Sequence, residues 1–183
     1  MKTLVLGLGN PILGDDSVGL RAAALVRQQL PADSDVEVDE DYWGGLRLME
    51  RLIGYDRAII LDAICTGRHA PGSVLHLRPD DFPTQHSASA HDLSLPAALQ
   101  LAQELHVKVP WDITLIAVEA EQVLEFADHC TPAVEAALPE VVQAVLAALG
   151  VPSDHLLAAG CDRAEYAAQP PSSDITFRKL EVL

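Results

Sequence analysis

The chain reads as an α/β protein, a three-layer αβα sandwich with a largely parallel sheet. Short apolar runs alternate with segments of helical periodicity along most of its length, the pattern that puts helices on the faces of a sheet. One run, Ala58-Ile59-Ile60-Leu61, is apolar without interruption, as in a strand buried on both faces. Glycine-rich or acidic words stand directly after several of these runs.

The elements follow in order. Residues 3–8 are a buried run, broken by Gly7, Gly9, Asn10 and Pro11, and predict a first strand. From Asp16 to Leu30 the period becomes helical, with Val18, Ala22, Leu25 and Val26 on one face. Asp15 or Asp16 is its expected N-cap. Residues 35–39 predict a second strand, and Gly44-Gly45 opens a helix to about Ile53 that buries Leu46, Met49 and Leu52–Ile53. The central strand 58–61 is expected to end at Asp62. Gly72 to Leu77 alternates as a half-buried strand, and the polar stretch from Pro79 to Ala90 reads as a mobile loop. A helix from Leu93 to Leu105 tolerates Pro96 in its first turn. Ile113 to Val118 predict another strand. Thr131-Pro132 begins the last helix, with Thr131 as N-cap and Pro132 at the first helical position, Pro139 as a kink and Gly150 as its stop. Residues 1–150 therefore form one domain. Residues 151–183, with Pro170-Pro171-Ser172-Ser173 and no clear period, form a C-terminal tail, with one short helix expected near Asp162–Ala168.

Composition narrows the function. The formal net charge is −15 over 183 residues, which opposes nucleic-acid binding because phosphates are neutralised by Lys and Arg. Cys65, Cys130 and Cys161 are odd in number and widely spaced, so neither a disulfide framework nor a zinc ribbon is expected. No apolar run approaches a membrane span and the first residues read as a strand, so the expectation is a cytoplasmic protein without membrane insertion.

In an open α/β sheet, ligands sit beyond the carboxyl ends of the strands. Asp16 follows the first strand through a glycine turn, Asp62 ends the central strand, and His91 lies in a loop entering a helix. Two aspartates and a histidine, without thiolate, suit a weak site for a borderline divalent metal. Each residue has a plainer role. Asp16 can cap a helix, a role Asp15 can take instead. Asp62 can cap a turn, although a carboxylate after four buried residues is costly without a partner. His91 can be a surface histidine, and the other histidines carry no assignment. Cys65, three residues beyond Asp62, is expected to pack as a small buried hydrophobe. Gly7-Leu8-Gly9 hints at a dinucleotide turn, but Ile12 stands where its third glycine belongs. No G-x-S-x-G, P-loop or H-E-x-x-H word occurs.

Taken together, Gly7-Leu8-Gly9-Asn10 with Gly14-Asp15-Asp16 and Gly19, Ile59-Ile60-Leu61-Asp62-Ala63 with Pro71-Gly72, Ser89-Ala90-His91-Asp92-Leu93, and Thr131-Pro132-Ala133-Val134-Glu135 resemble the hydrogenase maturation endopeptidases over residues 3 to about 149. The resemblance implies a twisted five-stranded sheet and an endopeptidase, of aspartyl type, that removes the C-terminal extension of the nickel-loaded precursor of the nickel–iron hydrogenase large subunit. By match, Asp16, Asp62 and His91 are the metal ligands, with Asp16 and Asp62 also the catalytic pair. Nickel would then arrive with the substrate, and no tightly bound resident cofactor is implied. The chain departs from the family at Ser17, where glycine is frequent, so the first turn is expected to be tighter or differently capped. It departs again at Asp41-Tyr42-Trp43-Gly44-Gly45, where Tyr42 and Trp43 either line the cleft and select the partner or pack the helix start.

Two other functions compete. A peptidyl-tRNA hydrolase-like esterase also begins Gly-Leu-Gly-Asn-Pro, but its following histidine–asparagine word is missing here and the acidic charge opposes tRNA. A non-catalytic nickel-sensing chaperone would bind the precursor without cutting it.

Overall fold

The computed structural model describes residues 1–31, 33–42, 45–81 and 95–151. They form a five-stranded sheet of order β2-β1-β3-β5-β4, from β1 (Thr3–Leu8), β2 (Val36–Asp41), β3 (Arg57–Ile64), β4 (Val74–Leu77) and β5 (Asp112–Glu119). All neighbours are parallel except β4, which pairs antiparallel with β5 at the edge. Helices α1 (Val18–Gln29) and α4 (Pro132–Leu149) cover one face, and α2 (Gly45–Leu52) and α3 (Leu95–Glu104) the other. The three-layer αβα sandwich is thus the observed architecture.

Strand alternation sorts the core between the layers. Val5, Ile59, Leu61, Ala63, Ile116 and Val118 pack against α1 and α4. Leu4, Leu6, Ala58, Ile60, Ile64 and Leu115 pack on the α2 side with Leu48 and Leu52. By length and composition α4 could cross a membrane. In the fold it is a core helix, burying Val134, Leu138, Val141, Val142 and Val145 in the α1–α4 layer. It runs unbroken through Pro139 and ends where Gly150 adopts φ 73°.

Several local expectations need correction. Neither Asp15 nor Asp16 caps α1: the N-cap is Ser17, which makes no side-chain capping bond. Instead Gly14–Ser17 form a short 3-10 helix, and the Ser17 hydroxyl donates to the Gly14 carbonyl at 2.6 Å. Thr131 is the N-cap of α4 but makes no capping bond either, because its hydroxyl is committed elsewhere. The central strand continues to Ile64, so Asp62 lies within it rather than ending it. Cys65 is exposed, because it follows the last strand residue and leaves the sheet. Ile53, expected to be buried, is likewise exposed, because α2 ends one residue before it. Pro79–Asp81 form a 3-10 turn. The rest of the expected loop from 82, the first residues of the 93–105 helix, and the tail from 152 with its short helix lie outside the described residues.

Candidate active site at the sheet switch point

The chain leaves β1 toward β2 on one side, while β3 pairs with β1 on the other. The strand order therefore reverses between β1 and β3, and a crevice opens beyond their carboxyl ends. Asp62 stands at this point. The β1–β3 ladder closes at Gly7–Leu61, so Asp62 is the first residue of β3 beyond it, while it still pairs with Ala117 of β5. Its side chain is buried at 6% exposure and its Oδ1 accepts the Ala63 N–H at 2.8 Å. By alternation it shares the strand face of Ile60 and Ile64.

The turn bearing Asp16 is set at the same end of the sheet by the glycine words. Gly9 has φ +139°, and a Cβ there would lie under 3.0 Å from the Asp16 carbonyl oxygen. A Cβ on Gly19 would lie under 3.0 Å from the carbonyl oxygens of both Leu8 and Leu61. Only glycine lets the start of α1 settle onto the ends of β1 and β3, and this close approach places the turn bearing Asp16 at the carboxyl end of the sheet. The Asp16 Oδ2 accepts the Asn10 N–H at 2.8 Å, and the Asn10 Oδ1 accepts the Ile12 N–H at 3.2 Å. The carboxylate is thereby held by the loop before it.

Two further buried carboxylates take roles that the sequence did not predict, Asp15 in place of helix capping and Glu119 where no role was expected. Asp15 is fully buried and accepts from the Glu121 N–H (3.0 Å), Gln122 N–H (3.2 Å), Thr131 N–H (2.6 Å) and Thr131 hydroxyl (3.1 Å). It ties the turn bearing Asp16 to both ends of the loop between β5 and α4. Glu119, 1% exposed at the end of β5, accepts the N–H groups of Thr66 and Gly67 and the Thr66 hydroxyl, each at 2.7 Å. It fastens the segment after β3. The signals were a second acidic residue beside Asp16 and a carboxylate after the apolar Leu115–Val118; their partners lie 106–116 and 52–53 positions away and leave no local pattern.

Asp41 ends β2 opposite Leu8, is buried, and accepts the Tyr42 N–H at 2.7 Å and an ion pair from Arg51 Nε at 3.2 Å. The Tyr42 side chain is 53% exposed, which suits a cleft rim better than packing under α2. Trp43 and His91 lie outside the described residues. Among the described residues no group of three or more His, Cys, Asp or Glu side chains could hold a metal ion. Cys130 is buried beside Ser17 and Gly14, and burial pushes its thiol above the ordinary range, which disfavours the reactive thiolate.

Comparison with known proteins gives a consistent picture. The family model of the hydrogenase maturation proteases matches residues 24–148. The hydrogenase 2 maturation protease of Escherichia coli is 34% identical over 151 residues, covering 81% of this chain and 91% of that one. The hydrogenase expression/formation protein HupD of Thiocapsa roseopersicina is 27% identical, covering 97% and 86%. Among solved structures, the hydrogenase maturating endopeptidase HybD from Escherichia coli aligns with a TM-score of 0.70 at 32% identity, covering 82% of this chain and 93% of that one.

Proposed function

Because the chain belongs to the hydrogenase maturation proteases, a family of peptide hydrolases, we propose that it removes the C-terminal extension of the nickel-loaded large-subunit precursor of a nickel–iron hydrogenase. The observation that carries this reading is the position of Asp62, a buried carboxylate at the switch point beside the turn that delivers Asp16.

Asp16, Asp62 and His91 are the groups assigned to recognise nickel, which arrives as part of the substrate. Two carboxylates and one imidazole leave positions open on the metal, and they hold nickel less firmly than the thiolates of a hydrogenase precursor. Such a site reads the metal without stripping it. Hydrolysis adds one water across the scissile amide. The oxygen goes to the carbonyl carbon, one proton goes to the departing amine, and Asp16 and Asp62 are the carboxylates able to take and return that proton. Tyr42 and Trp43 are assigned to the rim that receives the precursor. The free thiols of Cys65 and Cys130 fit a reducing compartment, and we assign the enzyme to the cytoplasm.

The test is intact mass spectrometry of a large-subunit precursor incubated with the protein, with and without nickel. Loss of a C-terminal peptide only in the presence of nickel is expected, and Asp62→Ala should abolish it while the protein still melts cooperatively. Binding of the nickel-loaded precursor without any mass change would replace the protease by a nickel-sensing chaperone.

A further inference from the structure

The loop between β5 and α4 turns large apolar side chains to solvent beside the candidate site. Leu124 is 80% exposed and Phe126 82%. Ile12, also exposed, faces the same loop across an isolated parallel bridge between Leu13 and Ala127. The backbone here is fastened. The Gly14 N–H donates to the Ala127 carbonyl at 3.1 Å, and the Ala127 N–H donates to the Ile12 carbonyl at 3.2 Å. Asp15 holds both ends through Glu121, Gln122 and Thr131, and Arg21 donates to the Asp128 carbonyl. A fixed loop that holds two large hydrophobic groups in water marks a recognition surface.

Its charge says what it fits. Glu121, Glu125 and Asp128 are exposed around the apolar centre, and no Lys or Arg occurs from residue 109 to 162. The loop's only basic side chain is His129, already hydrogen-bonded to Asp128 at 2.7 Å. An apolar centre with an acidic rim matches a partner whose apolar side chains are flanked by Lys or Arg. A second copy of this chain would set the same acidic rim against itself on a molecule of net charge −15. The chain's own residues 152–183 hold five acidic side chains against three Lys and Arg, so they do not complement the rim either.

We propose that Ile12, Leu124 and Phe126, rimmed by Glu121 and Glu125, are the docking surface for the hydrogenase large-subunit precursor and engage a basic, apolar face of it. The inference rests on the proteolytic function proposed above. Because Asp15 joins this loop to the turn carrying Asp16, docking at the loop presents the bound chain to the crevice.

The test is steady-state cleavage of the nickel-loaded precursor by the full chain. The double variant Leu124→Ser/Phe126→Ser should raise KM by at least about 10-fold and leave kcat within about 2-fold. Glu121→Lys/Glu125→Lys should raise KM and flatten the dependence of kcat/KM on salt. Both variants should keep the wild-type melting temperature, since the altered side chains are exposed. Unchanged KM in folded variants, with an active wild type, overturns the docking surface and leaves the protease standing. A wild type that cleaves no precursor overturns the protease and the docking surface with it. A dimer in sedimentation that the Leu124→Ser/Phe126→Ser change dissociates would assign the patch to a second copy. Altered hydrogen exchange within residues 152–183 at unchanged KM would assign it to the chain's own tail.

Discussion

Replacing Asp15 tests whether it is a three-way clamp or an ordinary helix-start aspartate. Its carboxylate is fully buried and accepts four hydrogen bonds, three of them from backbone N–H groups that belong to no helix or strand ladder. Asp15→Ala leaves those donors facing a hole. A buried donor without a partner costs about 1–3 kcal/mol. With water entering to satisfy half of them, the loss is about 4 kcal/mol. For a domain of this size that lowers the melting temperature by roughly 8–16 °C. A mere capping aspartate would cost about 1 kcal/mol, or roughly 2–4 °C. Urea unfolding at a constant m-value separates the two. A double-mutant cycle with Thr131→Val sharpens the comparison, because the threonine hydroxyl donates to Asp15 and to no capping position. Asp15 and Thr131 should couple, so that Thr131→Val costs little once Asp15 is alanine. A loss near 1 kcal/mol, or strict additivity of the pair, would refute the clamp.

Other consequences follow from the same contacts. Gly19→Ala forces a methyl against the carbonyl oxygens of Leu8 and Leu61, and neither strand can yield, so a loss of about 3 kcal/mol is expected in the same unfolding assay. Precursor cleavage should fall with it as Asp16 is lifted from the crevice; wild-type activity and stability would contradict the close-approach argument. Glu119→Gln should cost about 2 kcal/mol and speed amide exchange at Thr66 and Gly67, because a neutral amide weakens the one acceptor oxygen their N–H groups share and sets a donor against the Thr66 hydroxyl. In peptide mapping after brief exposure to a thiol reagent, Cys65 should be labelled and Cys130 protected until unfolding; equal labelling would overturn the buried environment of Cys130. Cys65→Ser should keep activity, since Cys65 is exposed beyond the end of β3; a dead variant would point to a thiol mechanism.

Much of the architecture was legible along the chain because the signals are local. The uninterrupted apolar run at 58–61 marks a strand buried on both faces, and it is the central β3. Helical spacing at Val18, Ala22 and Val26 marks the face of α1 that packs on the sheet. Gly150 ends α4 in the left-handed conformation that glycine favours. Where local rules misled, a distant partner had taken the group. Capping propensity alone makes Asp15 and Thr131 cap residues, yet the two bond each other across 116 positions. Proximity to a buried strand made Cys65 a buried hydrophobe, yet β3 ends one residue before it.

The sequence by itself determined the αβα class, the central strand, the glycine turn, the acidic character and the family words around Asp16, Asp62 and His91. Each depends on periodicity, composition or short-range backbone chemistry. Only the tertiary structure decided that β1 and β3 are neighbours, that Asp62 falls just past their shared ladder, and that Asp15 and Glu119 hold the surrounding segments. Strand order and the satisfaction of a buried carboxylate are settled by groups brought together from far apart in the chain, and no local pattern of residues encodes those meetings.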